Sequence, residues 1–168
     1  MGLPKRRKRA RESEGESQAD ALKGAIKFLS YRGRSVAEVQ TKLFQLGFQP
    51  KVVQITLEKL RSLKLLNDEA FARDWAVSRA EGRGYGPVRI KRELQQKGIA
   101  KSVIGGVVEE VFGSRDVKER ARKLLEKRFG AEGLRDAKVL GRAVGFLRRR
   151  GYHDSMIAEL VGKSFGDD

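Results

Sequence analysis

Arginine and lysine side chains around a glycine-rich turn are the groups in this sequence whose types and spacing suggest chemistry. Arg83 and Tyr85 lie among alternating glycines, and Arg89, Lys91 and Arg92 follow on the next predicted helix. Cations beside the exposed backbone amides of a helix start form a favourable site for an anion. Over the whole chain, the predicted contact residues for an anionic partner are Arg79, Arg83, Tyr85, Arg89, Lys91, Arg92, Lys97, Lys101, Arg148, Arg149 and Arg150.

These basic groups also have a purely structural interpretation. The turn and the helix after it could be an ordinary polar helix face, with Tyr85 packed as an anchor of the turn. Arg148, Arg149 and Arg150 end a predicted helix, where the helix dipole alone favours each cation by about 0.3–1 kcal/mol. The sequence leaves both interpretations open.

The densest basic run, Lys5 to Arg9 with Arg11, stands near the N-terminus. Residues 1–20 are rich in Lys, Arg, Glu and Ser, a composition typical of segments without a packed core. We predict a disordered or loosely ordered basic arm over 1–20. Its cations either contact phosphate groups or form a solvated tail.

The residue types of this chain give little support to catalysis or metal binding. The chain has one histidine, His153, and no cysteine, which removes most nucleophile–base arrangements and nearly all zinc sites. We predict that His153 is a surface turn residue. Glu109 and Glu110 are adjacent and therefore point apart on a helix, and no phosphate-binding loop motif is present. We expect no enzymatic activity, no cofactor and no metal.

The net charge of +15, with a pI near 10.4, favours an anionic partner, either nucleic acid or an acidic protein surface. No apolar run reaches the roughly 18 residues of a membrane span, and no apolar stretch follows the first basic run as a signal peptide requires. The absence of cysteine fits a reducing compartment. We therefore expect a cytoplasmic monomer without a membrane partner.

Three segments of the chain superpose when they are aligned on a glycine. Gly47, Gly98 and Gly151 stand 51 and then 53 residues apart, and each has a leucine four residues before it and an apolar residue after it. A residue without a β-carbon takes the left-handed conformation at a helix end most cheaply. Each glycine is therefore predicted to cap a helix.

Helical spacing of apolar residues extends this alignment into three three-helix units. Each unit begins with an earlier helix, at about 21–32, 68–81 and 115–129. Leu22, Ile26 and Leu29 are predicted to face inward on the first of these helices, and Phe71 and Trp75 are predicted to lie in the core on the second. The predicted start signals are a capping box at Ser35 and Glu38, a cap at Asn67, and prolines 50 and 87 in first helical turns.

The predicted fold class is all-α, an elongated array of three tandem three-helix repeats behind the basic arm. The repeats are placed at 21–66, 67–113 and 114–168. A unit of this size has only a small core, so neighbouring units are expected to share apolar surface.

The middle unit closely resembles the RecX regulatory proteins of bacteria. The matching positions, in order, are Leu66, Asn67, Asp68, Glu69, Phe71, Ala72, Arg79, Gly84, Arg89, Ile90, Leu94, Lys97, Gly98 and Ile99. The first unit looks similar through Leu22, Leu29, Arg32, Ser35, Glu38, Leu43 and Gly47. The resemblance covers about residues 20–112, and the third unit matches only in its helical pattern.

The resemblance implies a tandem three-helix-repeat protein of the cytoplasm that binds the RecA recombinase. Members lodge along the groove of the RecA–DNA filament and inhibit the RecA ATPase, strand exchange and coprotease activity, and some also bind single- or double-stranded DNA. The resemblance implies no catalytic residue and no cofactor for this chain.

Two other functions stay open. One is a helical DNA-binding protein of the transcription-factor type that acts without RecA. The helices that would read bases begin with the apolar pairs Val52–Val53 and Val103–Ile104, whereas recognition helices present polar residues there. The other is an RNA- or ribosome-associated basic protein.

Overall fold

The computed structural model describes residues 5–113, 116–130 and 133–165, and their side chains over 17–113, 117–130 and 134–162. Within these ranges the chain is helical throughout, without a β-strand. The helices are α1 (Lys5–Ser30), α2 (Val36–Gln45), α3 (Pro50–Ser62), α4 (Asp68–Arg83), α5 (Pro87–Gln96), α6 (Lys101–Phe112), α7 (Asp116–Phe129), α8 (Ala137–Arg150) and α9 (Asp154–Phe165), with a 3-10 turn at Gly133–Arg135. The all-helical class predicted from the sequence is confirmed.

The start of α1 falls inside the segment predicted as a basic arm. The helix begins at Lys5, and the arm's side chains up to residue 16, with the Lys5–Arg9 run and Arg11, lie outside the described ones. The arm and its phosphate contacts therefore stay a prediction.

By packing, the chain divides into two compact units, 1–71 with 97–99, and 72–96 with 100–168. This division follows contacts rather than the sequence repeat, and the three repeat boundaries stay a prediction. In the first unit, α1, α2 and α3 enclose a core that includes Ala21, Ala25, Leu43 and Leu60. Each buried leucine contributes roughly 1.5–3 kcal/mol relative to an exposed one.

The inward face of α1 is turned slightly from the predicted one. Ala21 and Ala25 are fully buried and Leu22 and Leu29 are half-buried, whereas Ile26, predicted inward, is 42% exposed. Small alanines let a neighbouring helix approach closely. Ala21 and Ala25 therefore lie where α1 packs against its neighbours, and Ile26 lies at the edge of that contact.

In the second unit the helices bury two sets of apolar residues. Along α4, α5 and α6 these include Ala72, Ala76, Ile90, Leu94 and Ile104. Around α7, α8 and α9 the core consists of Ala121, Leu125, Leu134, Ala143, Leu147, Tyr152, Ile157 and Leu160. Phe71, in the first unit, and Trp75, in the second, are each only half-buried.

The predicted helix ends and starts are confirmed in detail. Gly47, Gly98 and Gly151 have φ of +86°, +74° and +83°, which only glycine adopts cheaply. After two of these glycines the next amide donates to the leucine carbonyl five residues back, over 3.2 Å to Leu43 and 3.1 Å to Leu147. The capping box, the Asn67 cap and both first-turn prolines are present as well.

A candidate partner-binding surface

A carboxylate that the sequence analysis passed over organises the basic residues of the second unit. Glu93 of α5 accepts hydrogen bonds from Trp75 Nε1 (3.0 Å), Arg79 Nε (3.2 Å) and Arg89 Nε (3.3 Å). Its side chain is 20% exposed, so these charge-assisted bonds lie in a partly dry environment where they are stronger than at the surface. Arg79 and Arg89 are therefore held within the fold.

Arginine stacking reinforces the same cluster. The Arg79 guanidinium lies 4.1 Å from the centre of the Trp75 ring, and that of Arg89 lies 3.7 Å from the centre of the Tyr85 ring. A hydrogen bond from Arg83 holds the pKa of the Tyr85 hydroxyl below its ordinary value, and the charge of Arg89 acts in the same direction. Tyr85 is half-buried, and the Arg89 guanidinium covers one face of its ring.

The start of α5 meets the end of α8 through backbone hydrogen bonds. Gly86 N donates to the Arg150 carbonyl (2.7 Å) and Val88 N to the Gly151 carbonyl (3.0 Å). The sequence predicts that these amides are exposed and available to an anion. That expectation is wrong, because the carbonyls that end α8 already occupy them.

Side chains strengthen this junction from both directions. Arg89 Nη1 donates to the Arg149 carbonyl over 3.3 Å, and Arg150 donates to the Arg83 carbonyl. The backbones approach so closely that a β-carbon on Gly86 would stand 2.5 Å from the Gly151 carbonyl oxygen. A glycine therefore lies on each side of this contact, and only Gly151 belongs to the sequence repeat.

The remaining predicted contact residues divide into engaged and free ones. Arg148 pairs with Asp154, with 2.7 Å between Nε and Oδ1. Lys91, Arg92 and Lys101 are exposed, and none of them forms an ion pair with any residue that the structure describes. These three cations are available to a partner.

Lys97 lies in the first unit and binds other residues of that unit. Its Nζ is 3.2 Å from Glu38 Oε1, and its carbonyl accepts a 2.6 Å hydrogen bond from Ser35 Oγ. Burial acts to raise the pKa of Glu38, but hydrogen bonds from Arg32, the Ser35 amide and Lys97 outweigh it and hold that pKa below its ordinary value. Lys97 therefore has a structural partner of its own.

Sequence reasoning missed Glu93 and Gly86. A signal for Glu93 was present, since Arg89 and Glu93 stand four residues apart on a predicted helix, where opposite charges face each other. The bonds of Glu93 to α4, and the contact of Gly86 with the end of α8, depend on tertiary packing and leave no comparable local pattern.

Every described helix is too short or too polar to cross a bilayer. No three His, Cys, Asp or Glu side chains in the described part of the chain come together as metal ligands would. His153 is exposed after the cap of α8, as predicted.

Repeated three-helix units with glycine caps, one carrying an arginine-rich turn built around a carboxylate, place this chain among helical-repeat proteins. The family description "RecX, first three-helix domain" matches residues 21–60 and "RecX, second three-helix domain" matches residues 67–107. The chain belongs to the RecX family.

Individual relatives extend the match beyond those two domains. The Regulatory protein RecX of Halorhodospira halophila is 35% identical over 157 residues, which is 93% of this chain and 96% of the relative. That of Corynebacterium efficiens is 31% identical over 163 residues, 94% of this chain and 77% of the relative. The crystal structure of RecX from Lactobacillus salivarius has the same fold, with a TM-score of 0.79 at 22% identity over 89% of this chain and 97% of that one.

Proposed function

We propose that the protein binds the RecA filament on DNA and inhibits RecA ATPase, strand exchange and coprotease activity, as a non-enzymatic regulator of the cytoplasm. In this role it modulates homologous recombination and DNA repair. Membership of the RecX family is the observation that carries the proposal. The net charge of +15 supports an association with a filament that contains nucleic acid.

The exposed cations of the second unit are the contact residues that the geometry favours. Lys91 and Arg92 are exposed on α5 and Lys101 is exposed at the first position of α6, and none is held by an acid among the described residues. Arg79 and Arg89 differ from these three cations, because Glu93 accepts a hydrogen bond from each of them. Unpaired cations can steer an anionic partner and meet its carboxylates or phosphates without first breaking an ion pair inside the fold.

The test is a titration of the chain into RecA from the same organism, with ATP hydrolysis on single-stranded DNA as the readout. We expect inhibition at amounts below one chain per RecA subunit. Full ATPase activity at saturating amounts of the chain would contradict the proposal.

A pair of matched variants tests the contact surface. Lys91→Ala with Arg92→Ala removes two free cations from α5, and Lys59→Ala with Arg61→Ala removes two exposed cations from α3. If each lost contact is worth about 0.7 kcal/mol, the α5 variant requires roughly tenfold more protein for half inhibition. The α3 variant should inhibit like the wild type, and equal losses in both would place the contact elsewhere.

The alternative function is DNA binding that acts without RecA, and the charge of the chain favours it too. A footprint at a discrete DNA site in the absence of RecA, together with normal RecA activity in its presence, would select this alternative. The apolar starts of α3 and α6, with Val52, Val53 and Ile104 buried, argue against their use as base-reading helices.

A further inference from the structure

One of the three repeated glycine caps has no neighbour in the fold. A β-carbon on Gly98 would stand 2.5 Å from that of Ala37, in the first unit. A β-carbon on Gly151 would clash with Arg89, in the second unit. A β-carbon on Gly47 would meet nothing within 4 Å. As far as the structure describes the chain, the end of α2 is therefore an uncovered cap.

The two covered caps meet the same kind of element, the start of a helix. Ser35, which caps the start of α2, donates its hydroxyl to the Lys97 carbonyl over 2.6 Å. Gly86, just before α5, donates its amide to the Arg150 carbonyl over 2.7 Å. In each case the acceptor directly precedes the cap glycine, so a helix end with unpaired carbonyls meets a helix start with donors. The equivalent carbonyl of the uncovered cap, that of Leu46, accepts no hydrogen bond from a described residue.

The side chains at the uncovered cap are more apolar than those at the covered caps. One residue before the glycine, the covered caps have a lysine and an arginine, and three residues before it they have a glutamine and an arginine. At the uncovered cap these two positions are Leu46 and Phe44, which are 49% and 45% exposed. The free end of a repeat array usually presents polar groups to water. Apolar side chains at this end therefore favour a binding surface.

We propose that the free cap, defined by Phe44, Leu46 and Gly47, docks the first turn of a helix from another protein and, on the basis of the proposed function, that this protein is RecA. The docked turn supplies a hydroxyl or amide donor to the Leu46 carbonyl, as Ser35 and Gly86 do at the covered caps. The partial negative charge at the C-terminal end of α2 attracts the positive end of another helix and repels a phosphate group. The free cap is thus a protein contact and not a nucleic-acid contact.

A second copy of this chain does not offer an equivalent helix start. The starts of α2 and α5 already cover caps. Alignment on the glycines gives one further equivalent, the start of α8, where the Asp136 carboxylate accepts from the amides of Lys138 and Val139 over 2.8 and 3.0 Å. Its donors are therefore occupied as well. A different protein is the occupant that these contacts favour.

The experiment measures the affinity of the fluorescein-labelled full chain for RecA filaments on oligothymidylate by anisotropy, at low and at high salt. Phe44→Gln with Leu46→Gln makes the free cap as polar as the covered ones. Binding should weaken about tenfold, the loss expected when two half-exposed apolar side chains are no longer buried in the complex. The loss should be the same at both salt concentrations, because neither substitution removes a charge.

The control variant removes equally exposed apolar side chains from another helix end. Leu63 and Leu65, after α3, are 47% and 49% exposed, and Leu63→Gln with Leu65→Gln should bind the filament like the wild type. Circular dichroism melts of both double variants confirm that each is folded at the temperature of the assay.

Gly47→Asn tests the close approach by itself. Asparagine adopts a positive φ more readily than most residues, and the open space around Gly47 leaves room for its side chain. The melting temperature should therefore fall only slightly. A helix start docked as closely as those at Gly98 and Gly151 would clash with the new side chain, so the affinity for the filament should fall severalfold.

Wild-type affinity in Gly47→Asn would overturn the proposed docking and leave the proposed function standing. Equal losses in the Phe44–Leu46 and Leu63–Leu65 variants would do the same. Absence of filament binding by the wild type would overturn both proposals. A chain that sediments as a dimer, and as a monomer after Gly47→Asn, would overturn the docking of RecA in favour of a second copy.

Discussion

Glu93→Ala should destabilise the second unit far more than the removal of a surface carboxylate does. The change deletes the acceptor for Trp75, Arg79 and Arg89 at once. It leaves two positive charges facing each other across a partly buried space. A structural interpretation of the arginine-rich turn requires this sensitivity.

The magnitude follows from the exposure of the three donors. A buried hydrogen bond to a charged group contributes about 1.5–3 kcal/mol, and an exposed ion pair contributes 0 to about 1 kcal/mol. Arg79 and Glu93 are 23% and 20% exposed, but Arg89 is 41% exposed and its pair is discounted. The expected loss is about 2–4 kcal/mol, which for a chain of this length lowers the melting temperature by about 5–15 °C.

The assay uses the one tryptophan of the chain. Because Trp75 Nε1 donates to Glu93, intrinsic fluorescence reports both the local change in the folded state and the unfolding of this unit in urea. Glu93→Gln keeps one carbonyl oxygen as acceptor and should lose roughly half as much stability. The control is Glu109→Ala, which removes an exposed carboxylate from α6 and should cost less than about 0.5 kcal/mol. Equal urea midpoints for Glu93→Ala and Glu109→Ala, with unchanged emission, would refute the reasoning.

Two further substitutions test other contacts. Gly86→Ala places a β-carbon 2.5 Å from the Gly151 carbonyl oxygen and should destabilise the protein by about 2–3 kcal/mol. The matched control is Gly82→Ala, where a β-carbon meets nothing within 4 Å. Equal melting temperatures for the two variants would contradict the close approach. Glu38→Gln should cost about 1–2 kcal/mol at pH 7, because the folded-state pKa of Glu38 lies below its ordinary value of 4.5. That stabilisation is present above pH 4.5 and disappears as the pH falls through the folded-state pKa, so the two urea midpoints should converge in acid; a constant difference would show that charge is not its source.

Helix starts and ends were the most predictable features of this fold. The capping box at Ser35, the prolines at first turns and the glycine at each repeated helix end act within a few residues of themselves, so spacing along the chain is enough to identify them. The direction of each helix face was less certain. Ile26 and Ala25 are neighbours in sequence, and only the packing of α1 decided that the alanine would be buried.

The basic site was predictable in its residues and unpredictable in their roles. The sequence identified the turn around Arg83 and Tyr85 but could not indicate that the end of α8 would occupy the amides of Gly86 and Val88. More than 60 residues separate the two segments, and no local pattern encodes their contact.

The residues that look most like a binding motif are therefore the ones that the fold already uses. Arg79, Arg89 and Arg150 each donate to a carboxylate or a carbonyl within the second unit, so replacing any of them disturbs the junction of α5 with α4 or with α8 as well as any partner contact. Loss of inhibition in such a variant would not by itself identify a contact with RecA. Lys91 and Arg92 separate the two causes, because they can be removed without touching that junction. A partner-binding role for this surface requires that their removal weakens inhibition while the urea midpoint and the Trp75 emission stay unchanged.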